Sequence, residues 1–401
     1  MSTVFLLLAV AGLLAVFNAL RPLRATPVLL PAFFSAWLTA ELAPQLIVLT
    51  VIEITTFVLL GAVSDTRGWV ALVLSVLTVV GLLWLVRSSE AAAHVADRAL
   101  ADLPDGPEPD SDVDVTGRLR RFFVPMSFTH PDVDRIVDVP YSDVSGRHRL
   151  DVYRHKDKPT GCPTLVQVHG GGWVIGDKRE QGRPLMLHLA SRGWVCFAPN
   201  YRLSPRATWP DHLVDVKRAL AWVRQNGAEY GADPGFVVLT GGSAGAHLVA
   251  MAALTANDPR YQPGFEDVDT SVAGCVPYYG VYDIAGETGT KASRMRRRHL
   301  MDRLVMKTTD DQVYREASPI EAVCEDAPPF LVIHGRNDTL VPVAEARLFV
   351  ERLRAVSSNP VVYVELPGTQ HAFDVFPSIR SSHVVRAVGR FVELLRLRAD
   401  A

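Results

Sequence analysis

Residues 236 to 250 read Phe-Val-Val-Leu-Thr-Gly-Gly-Ser-Ala-Gly-Ala-His-Leu-Val-Ala, an apolar run that meets glycines and then turns helix-like. The stretch predicts a strand, a tight turn and a helix, with Ser243 at the turn. Gly241 and Gly245 flank the serine at the two positions where a sharp strand-to-helix turn leaves no room for a Cβ. Ser243 is then held in a strained conformation with its hydroxyl exposed at the end of a sheet. The N–H of Ala244 opens the helix and faces any oxyanion that forms beside the serine. A glycine-rich turn before a helix is also common as plain structure, so the rest of the chain has to carry the reading.

Three further stretches carry it. His169-Gly170-Gly171-Gly172-Trp173 follows the apolar run Pro163 to Val168, which puts bare glycine amides at the end of a strand, where they can converge on an anion. Asp338 follows the strand-like Pro329 to Ile333, and His371 follows the strand-like Val361 to Leu366. Ser, then Asp, then His, each just after an apolar strand, is the triad order of one fold.

On these motifs residues from about 130 to 400 resemble an α/β-hydrolase of the hormone-sensitive-lipase type, a group of serine carboxylesterases and lipases. Asn200-Tyr201-Arg202-Leu203-Ser204-Pro205 and Trp209-Pro210 are similar to the segment which that group carries after its oxyanion loop. Two places depart from the family pattern. Gly242 stands before the nucleophile where Asp is usual, and the stretch at Asp338 reads Asp-Thr-Leu-Val-Pro. Both bear on the subfamily, and so on the substrate, more than on the fold.

From Val133 onward strand-like and helix-like segments alternate after an opening antiparallel pair, Arg135 to Val139 and His148 to Tyr153. That pattern predicts an α/β domain over 129 to 401, with a mostly parallel sheet covered on both faces. Its catalytic loops fall at the C-terminal ends of the strands.

The first 88 residues are different material. Val4 to Leu20 and Trp69 to Val86 carry no charge and Leu46 to Val63 only Glu53. Each is near the roughly 20 apolar residues that cross a bilayer, so about three transmembrane helices are expected, with buried helices of a soluble domain as the alternative. Met-Ser-Thr offers no basic segment for a cleaved signal peptide. Ala25 to Ala40 is uncharged but interrupted by Pro27 and Pro31, and reads as an interfacial segment or a fourth span. With three spans Arg21, Arg24, Arg87 and Arg98 share one side and Arg67 takes the other, which places the C-terminal domain in the cytoplasm of an integral protein of the cell membrane. With four spans the bias shrinks. Glu53 is either a proton or ligand site or a helix-packing residue.

Residues 89 to 128 read as a linker and possible cap segment. Ser88 to Leu103 is Ala-rich and helix-like, Pro104 to Asp112 is dense in Pro and Asp, and Arg118, Arg120 and Arg121 precede Phe122-Phe123. The run Lys291 to Lys307 carries Arg294, Arg296, Arg297, Arg298 and Arg303 without interleaved aromatics, so it reads as a solvated helix at the pocket rim.

Forty-one Lys and Arg against 43 Asp and Glu give a net charge of -2, and nothing in that balance points to nucleic acid. Cys162, Cys196, Cys275 and Cys324 are scattered singly, which argues against a zinc site or a disulfide framework. The partners expected are a small-molecule or lipid ester and the bilayer, with the oligomeric state open.

A serine hydroxyl attacks an ester at neutral pH only if a neighbour takes its proton. His371 is the candidate base, and Asp338 the carboxylate that fixes its tautomer. Gly170, Gly171 and Ala244 are the candidate oxyanion donors, with His169 and Gly172 supporting the loop. His247 and His334 read as packing or loop residues, and Asp283 is the competitor for the acid. No metal or organic cofactor enters this scheme. The expected function is a membrane-anchored serine carboxylic-ester hydrolase. An amidase or deacetylase on the same scaffold, or a non-catalytic receptor of the same shape, remain the alternatives.

Overall fold

The computed structural model describes residues 1–24, 26–101, 103 and 128–400. The expectations for Pro104 to Asp112 and for the basic-aromatic piece at Arg118 to Phe123 lie outside the described residues.

Eight strands, β1 Val133–Pro140, β2 Arg149–His155, β3 Cys162–Val168, β4 Val195–Pro199, β5 Ala232–Gly242, β6 Gly274–Tyr278, β7 Phe330–Gly335 and β8 Val361–Leu366, form one sheet in the order β1-β2-β4-β3-β5-β6-β7-β8. β1, β2 and β4 pair antiparallel, and every later neighbour is parallel. The parallel connections run through α5 Arg183–Ala190, α6 Asp211–Asn226, α7 Ala244–Leu254 and α10 Val343–Val356, and α11 Ile379–Ala399 closes the domain. The short α8 Lys291–Arg296 and α9 Asp311–Glu316 lie between β6 and β7.

The pleat sends alternate residues to opposite faces. Val166 and Leu239 enter one core with Leu248 and Phe349, while their neighbours Leu165 and Val238 enter the other with Val388 and Phe391. Both faces are therefore covered, which is why β3, β4 and β5 are apolar almost throughout. β8 alternates buried and half-buried positions along its length.

The first 101 residues form four helices, α1 Ser2–Leu20, α2 Leu29–Glu41, α3 Ala43–Leu59 and α4 Thr66–Ala101. α1 and α4 are long and apolar enough to cross a membrane, and α2 and α3 form a pair bent by 89°. α1 and α4 run the same way. Ser2 Oγ donates to Asp65 Oδ2 at 2.8 Å at one end. At the other, Asn337 Nδ2 donates to Leu20 O at 3.3 Å and Ser88 Oγ to Pro367 O at 3.3 Å, so both helices point at the sheet domain. Glu53 lies half-buried on α3, and its Oε1 makes no hydrogen bond among the described residues.

The helix α4 runs without a break through residue 88, where the sequence suggests a boundary. Trp69 to Val86 and Ser88 to Ala101 belong to one helix of 36 residues. Its buried positions Ala71, Ser75, Thr78, Leu82, Leu85, Ser89, Ala92, Ala96 and Leu100 recur every three or four residues. They make one stripe that serves two partners. Leu82 and Leu85 pack on Val16 and Ala19 of α1, whereas Ala92, Ala96 and Leu100 enter the sheet domain's own core beside α11. Glu90 and Asp97 on α4 accept from His383 and Arg390 on α11.

Candidate active site

β5 ends at Gly242, and Ser243 follows with φ 57° and ψ -118°, a conformation that is strained for a residue with a Cβ. The backbone is held there. Ser243 N donates to Tyr278 O at 3.0 Å, and α7 starts at Ala244. A Cβ on Gly241 would lie 2.7 Å from Val168 O, and one on Gly245 2.2 Å from the same oxygen. Close approach of β5 and α7 to the end of β3 thus requires both glycines.

The glycine loop reaches the serine from β3. A Cβ on Gly170 would lie 3.1 Å from Ser243 Cβ. Gly171 and Gly172 have φ of +102° and +60°, and they turn the loop beside the nucleophile. The Gly170 amide, expected as an oxyanion donor, is already committed, because it donates to Gln181 Oε1 at 2.7 Å. The amides of Gly171, Gly172 and Ala244 make no hydrogen bond among the described residues. Gly171 and Gly172 are thus the amides of this loop left without a hydrogen-bond partner among the described residues.

His169 supports this loop. Its Nδ1 donates to Gly170 O at 2.8 Å and its ring stacks on Tyr201 at 4.4 Å. Burial pulls its basicity down to about 4, so it stays neutral at physiological pH. Tyr201 donates to His169 O at 3.1 Å, and Arg202 beside it is anchored on the buried Asp215 at 2.8 Å.

Asp338 and His371 come from the loops after β7 and β8. His371 Nδ1 donates to Asp338 Oδ2 at 2.6 Å, and Asp338 Oδ1 accepts from the amides of Leu340 at 2.9 Å and Val341 at 2.8 Å. The carboxylate is fully buried and accepts three hydrogen bonds, so it can hold the ring in one tautomer. Gln370 Oε1 accepts from Thr339 N at 2.8 Å and His371 N at 2.9 Å, which ties the two loops together. Among the described residues no hydrogen bond joins Ser243 Oγ to the His371 ring, a contact that often tightens only around substrate.

Asp283, His247 and His334 have partners elsewhere. Asp283 accepts from Gly286 N at 2.6 Å and Thr288 N at 2.7 Å and closes its own turn. His247 Nε2 donates to Ala317 O at 2.7 Å and packs edge-on against Trp173. His334 Nε2 donates to Val341 O at 3.0 Å from a buried position. The basic run is not a free solvated helix. α8 continues as a π-helix, Arg297–Val305, whose Met301 and Val305 are buried. Arg296 pairs with Glu345 at 2.7 Å, Arg297 with Asp311, and Leu300 lies beside Gly172.

Sequence reasoning missed Tyr279. Its ring centroid lies 4.5 Å from that of His371, and a Cβ on Gly242 would come within 2.7 Å of its hydroxyl oxygen. Tyr279 thus sits between the nucleophile turn and the histidine and occupies the space that a side chain at 242 would need. That accounts for glycine where the family usually carries Asp. The Tyr279 hydroxyl donates to the buried Asp374. Nothing in the local sequence distinguishes Tyr279 from Tyr278, which is equally buried.

The BD-FAE family model matches residues 150–353, just over half of the 401-residue chain. The chain belongs to the BD-FAE family. The matched span holds the glycine loop, Ser243 and Asp338, and ends before His371. "Probable carboxylic ester hydrolase LipM" of Mycobacterium tuberculosis is 50% identical over 281 residues, covering 69% of this chain and 64% of its own length. "Esterase LipQ" of the same organism is 46% identical over 265 residues, 64% of this chain and 62% of its own. The chain thus spans under two thirds of the length of these curated relatives. Among solved structures, the propionate-bound esterase Est2 of Thermogutta terrifontis matches with TM-score 0.55 and 26% identity, over 66% of this chain and 95% of its own. Esterase B from Lactobacillus rhamnosis matches with TM-score 0.59 at 21% identity, over 78% of this chain and 98% of its own, a likeness of fold alone. The expected α/β-hydrolase fold of this BD-FAE member is therefore met.

Proposed function

We propose that this chain is a serine carboxylic-ester hydrolase, held in a membrane by its first helices, that cleaves short to medium acyl esters or lipid esters. The observation that carries the reading is the 2.6 Å contact of His371 with the buried Asp338, at the strand ends beside the strained Ser243 turn. The names of the relatives and of the neighbouring structures point the same way.

In this reading His371, fixed by Asp338 in the tautomer with Nδ1 protonated, takes the serine proton at Nε2 as Oγ attacks the ester carbonyl. The developing oxyanion lies between the amides of Gly171, Gly172 and Ala244, and losing one such donor costs about two to three orders of magnitude in rate. Collapse of the tetrahedral species expels the alcohol, which takes the proton from His371. Water, activated by the same base, then releases the acid from the acyl-enzyme.

Three crossings by α1, α3 and α4, with α2 lying along the domain, put Arg21, Arg24 and Arg87 on the domain's side and Arg67 on the other. The positive-inside tendency then places the domain in the cytoplasm.

The test is fluorophosphonate labelling of the detergent-solubilised chain, read by intact mass, beside Ser243→Ala and His371→Ala. One adduct on the wild type and none on either variant is expected, with turnover of a p-nitrophenyl ester falling by about three orders of magnitude or more in both. Turnover retained by Ser243→Ala would falsify the reading. Matched ester and amide substrates then separate an esterase from an amidase.

A further inference from the structure

The segment whose sequence leaves it between interface and span, α2, lies against the loop that carries His371. Trp37 Nε1 donates to Ala372 O at 2.9 Å. Ala372 directly follows His371 and has φ +58°, the left-handed region that a residue with a Cβ adopts only when its surroundings hold it there. Phe33 sets its ring edge-on to His371, with centroids 6.4 Å apart. Trp37 stacks on Phe376 at 4.8 Å and on Phe33 at 5.8 Å. One turn further on, the buried Glu41 pairs with the buried Arg380 and accepts from Ser378 Oγ at 2.6 Å, at the start of α11.

Phe33, Trp37 and Glu41 are spaced four residues apart, so one face of α2 meets the segment 371–380 along its length. The stripe beside it carries Leu30, Phe34 and Leu38, which are 60%, 51% and 39% exposed. A helix that merely docked an anchor would need no contact with the catalytic loop. Here, among the described residues, the aromatic ring nearest His371 apart from Tyr279 comes from the apolar helices and not from the sheet domain.

We propose that α2 is part of the active site. Phe33 forms a wall for the hydrophobic part of the ester beside His371, and Trp37 is a positioning residue that holds the histidine loop. The substrates are accordingly esters with a hydrophobic chain, drawn from an apolar phase along the exposed face of α2. This rests on the esterase reading above.

The experiment compares p-nitrophenyl acetate and octanoate on the full detergent-solubilised chain, with Phe33→Ala, Phe33→Leu and Trp37→Phe. In Phe33→Ala the KM for octanoate rises about tenfold while that for acetate stays within about twofold, and Phe33→Leu recovers part of the loss. Trp37→Phe keeps the ring stack but loses the N–H donor, so kcat falls about fivefold to tenfold on both esters at unchanged KM. Should Phe33→Ala not fold, Phe33→Leu carries the same comparison with a smaller shift. An unchanged octanoate-to-acetate ratio in the Phe33 variants overturns the wall, and a wild-type kcat in Trp37→Phe overturns the positioning role. A wild type that neither hydrolyses esters nor takes the fluorophosphonate label fails the esterase reading itself. An active, labelled wild type with unaltered variants sinks only the role of α2.

Discussion

Burial pushes the Asp374 carboxyl up to about 6, while the Tyr279 hydroxyl that donates to it pulls the other way. Its folded value lies above the ordinary 3.8, so the folded state holds this proton more tightly than the unfolded chain. The stability it contributes is complete below about pH 4 and is lost as pH rises through about 6, by up to about 3 kcal/mol. Asp374→Asn stays neutral and still accepts from Tyr279. Its melting temperature is therefore expected to gain on the wild type as pH rises from 4 to 7, and a constant offset across that range would refute the assignment. The same residues explain a feature that the sequence reports without its reason. Gly242 is glycine because Tyr279 fills the space above it.

At the scale of elements, α4 joins what composition divides. Charge and Ala content change near Arg87, and that change suggests a membrane helix followed by a linker. The buried stripe runs through the change because helical periodicity does not register which partner a face meets. Ala92 and Ala96 are 0% and 1% exposed, and their small side chains let α4 approach α11 closely. Ala96→Leu is expected to destabilise the protein by about 1–3 kcal/mol through overpacking, seen as a lower melting temperature. An exposed position on the same helix, Trp84→Leu in detergent, serves as the control and is expected to stay within about 0.5 kcal/mol. Equal effects at the two positions would mean that α4 does not dock on the sheet domain.

Over the whole molecule, the apolar helices meet the loops after β7 and β8 and the helix α11, and α2 lies against the loop that carries His371. The proposed orientation is read from single cysteines at two exposed sites, Arg67→Cys in the first turn of α4 and Val144→Cys between β1 and β2. A membrane-impermeant maleimide is expected to label the first on intact cells and the second only after lysis. The reverse pattern would place the domain outside. The sheet, the strand order of the motifs and the nucleophile turn were legible because they are local. Apolar runs of strand length, glycines at steric pinch points and a serine between them are all written within a few residues. His371 and Asp338 were legible by position after the last strands. The commitment of the Gly170 amide to Gln181, the place of Tyr279, the bend of α2 onto the histidine loop and the dual use of α4 were not. Each is a contact between residues far apart in the chain, and hydrophobic burial alone does not specify which distant surfaces meet. The sequence by itself determined the α/β class and the apolar helices, and it singled out Ser243, Asp338 and His371 as candidates. Only the tertiary structure decided that the Gly170 amide is taken by Gln181 and that Tyr279 stands against the His371 ring, because these depend on close packing across the sheet and not on local spacing.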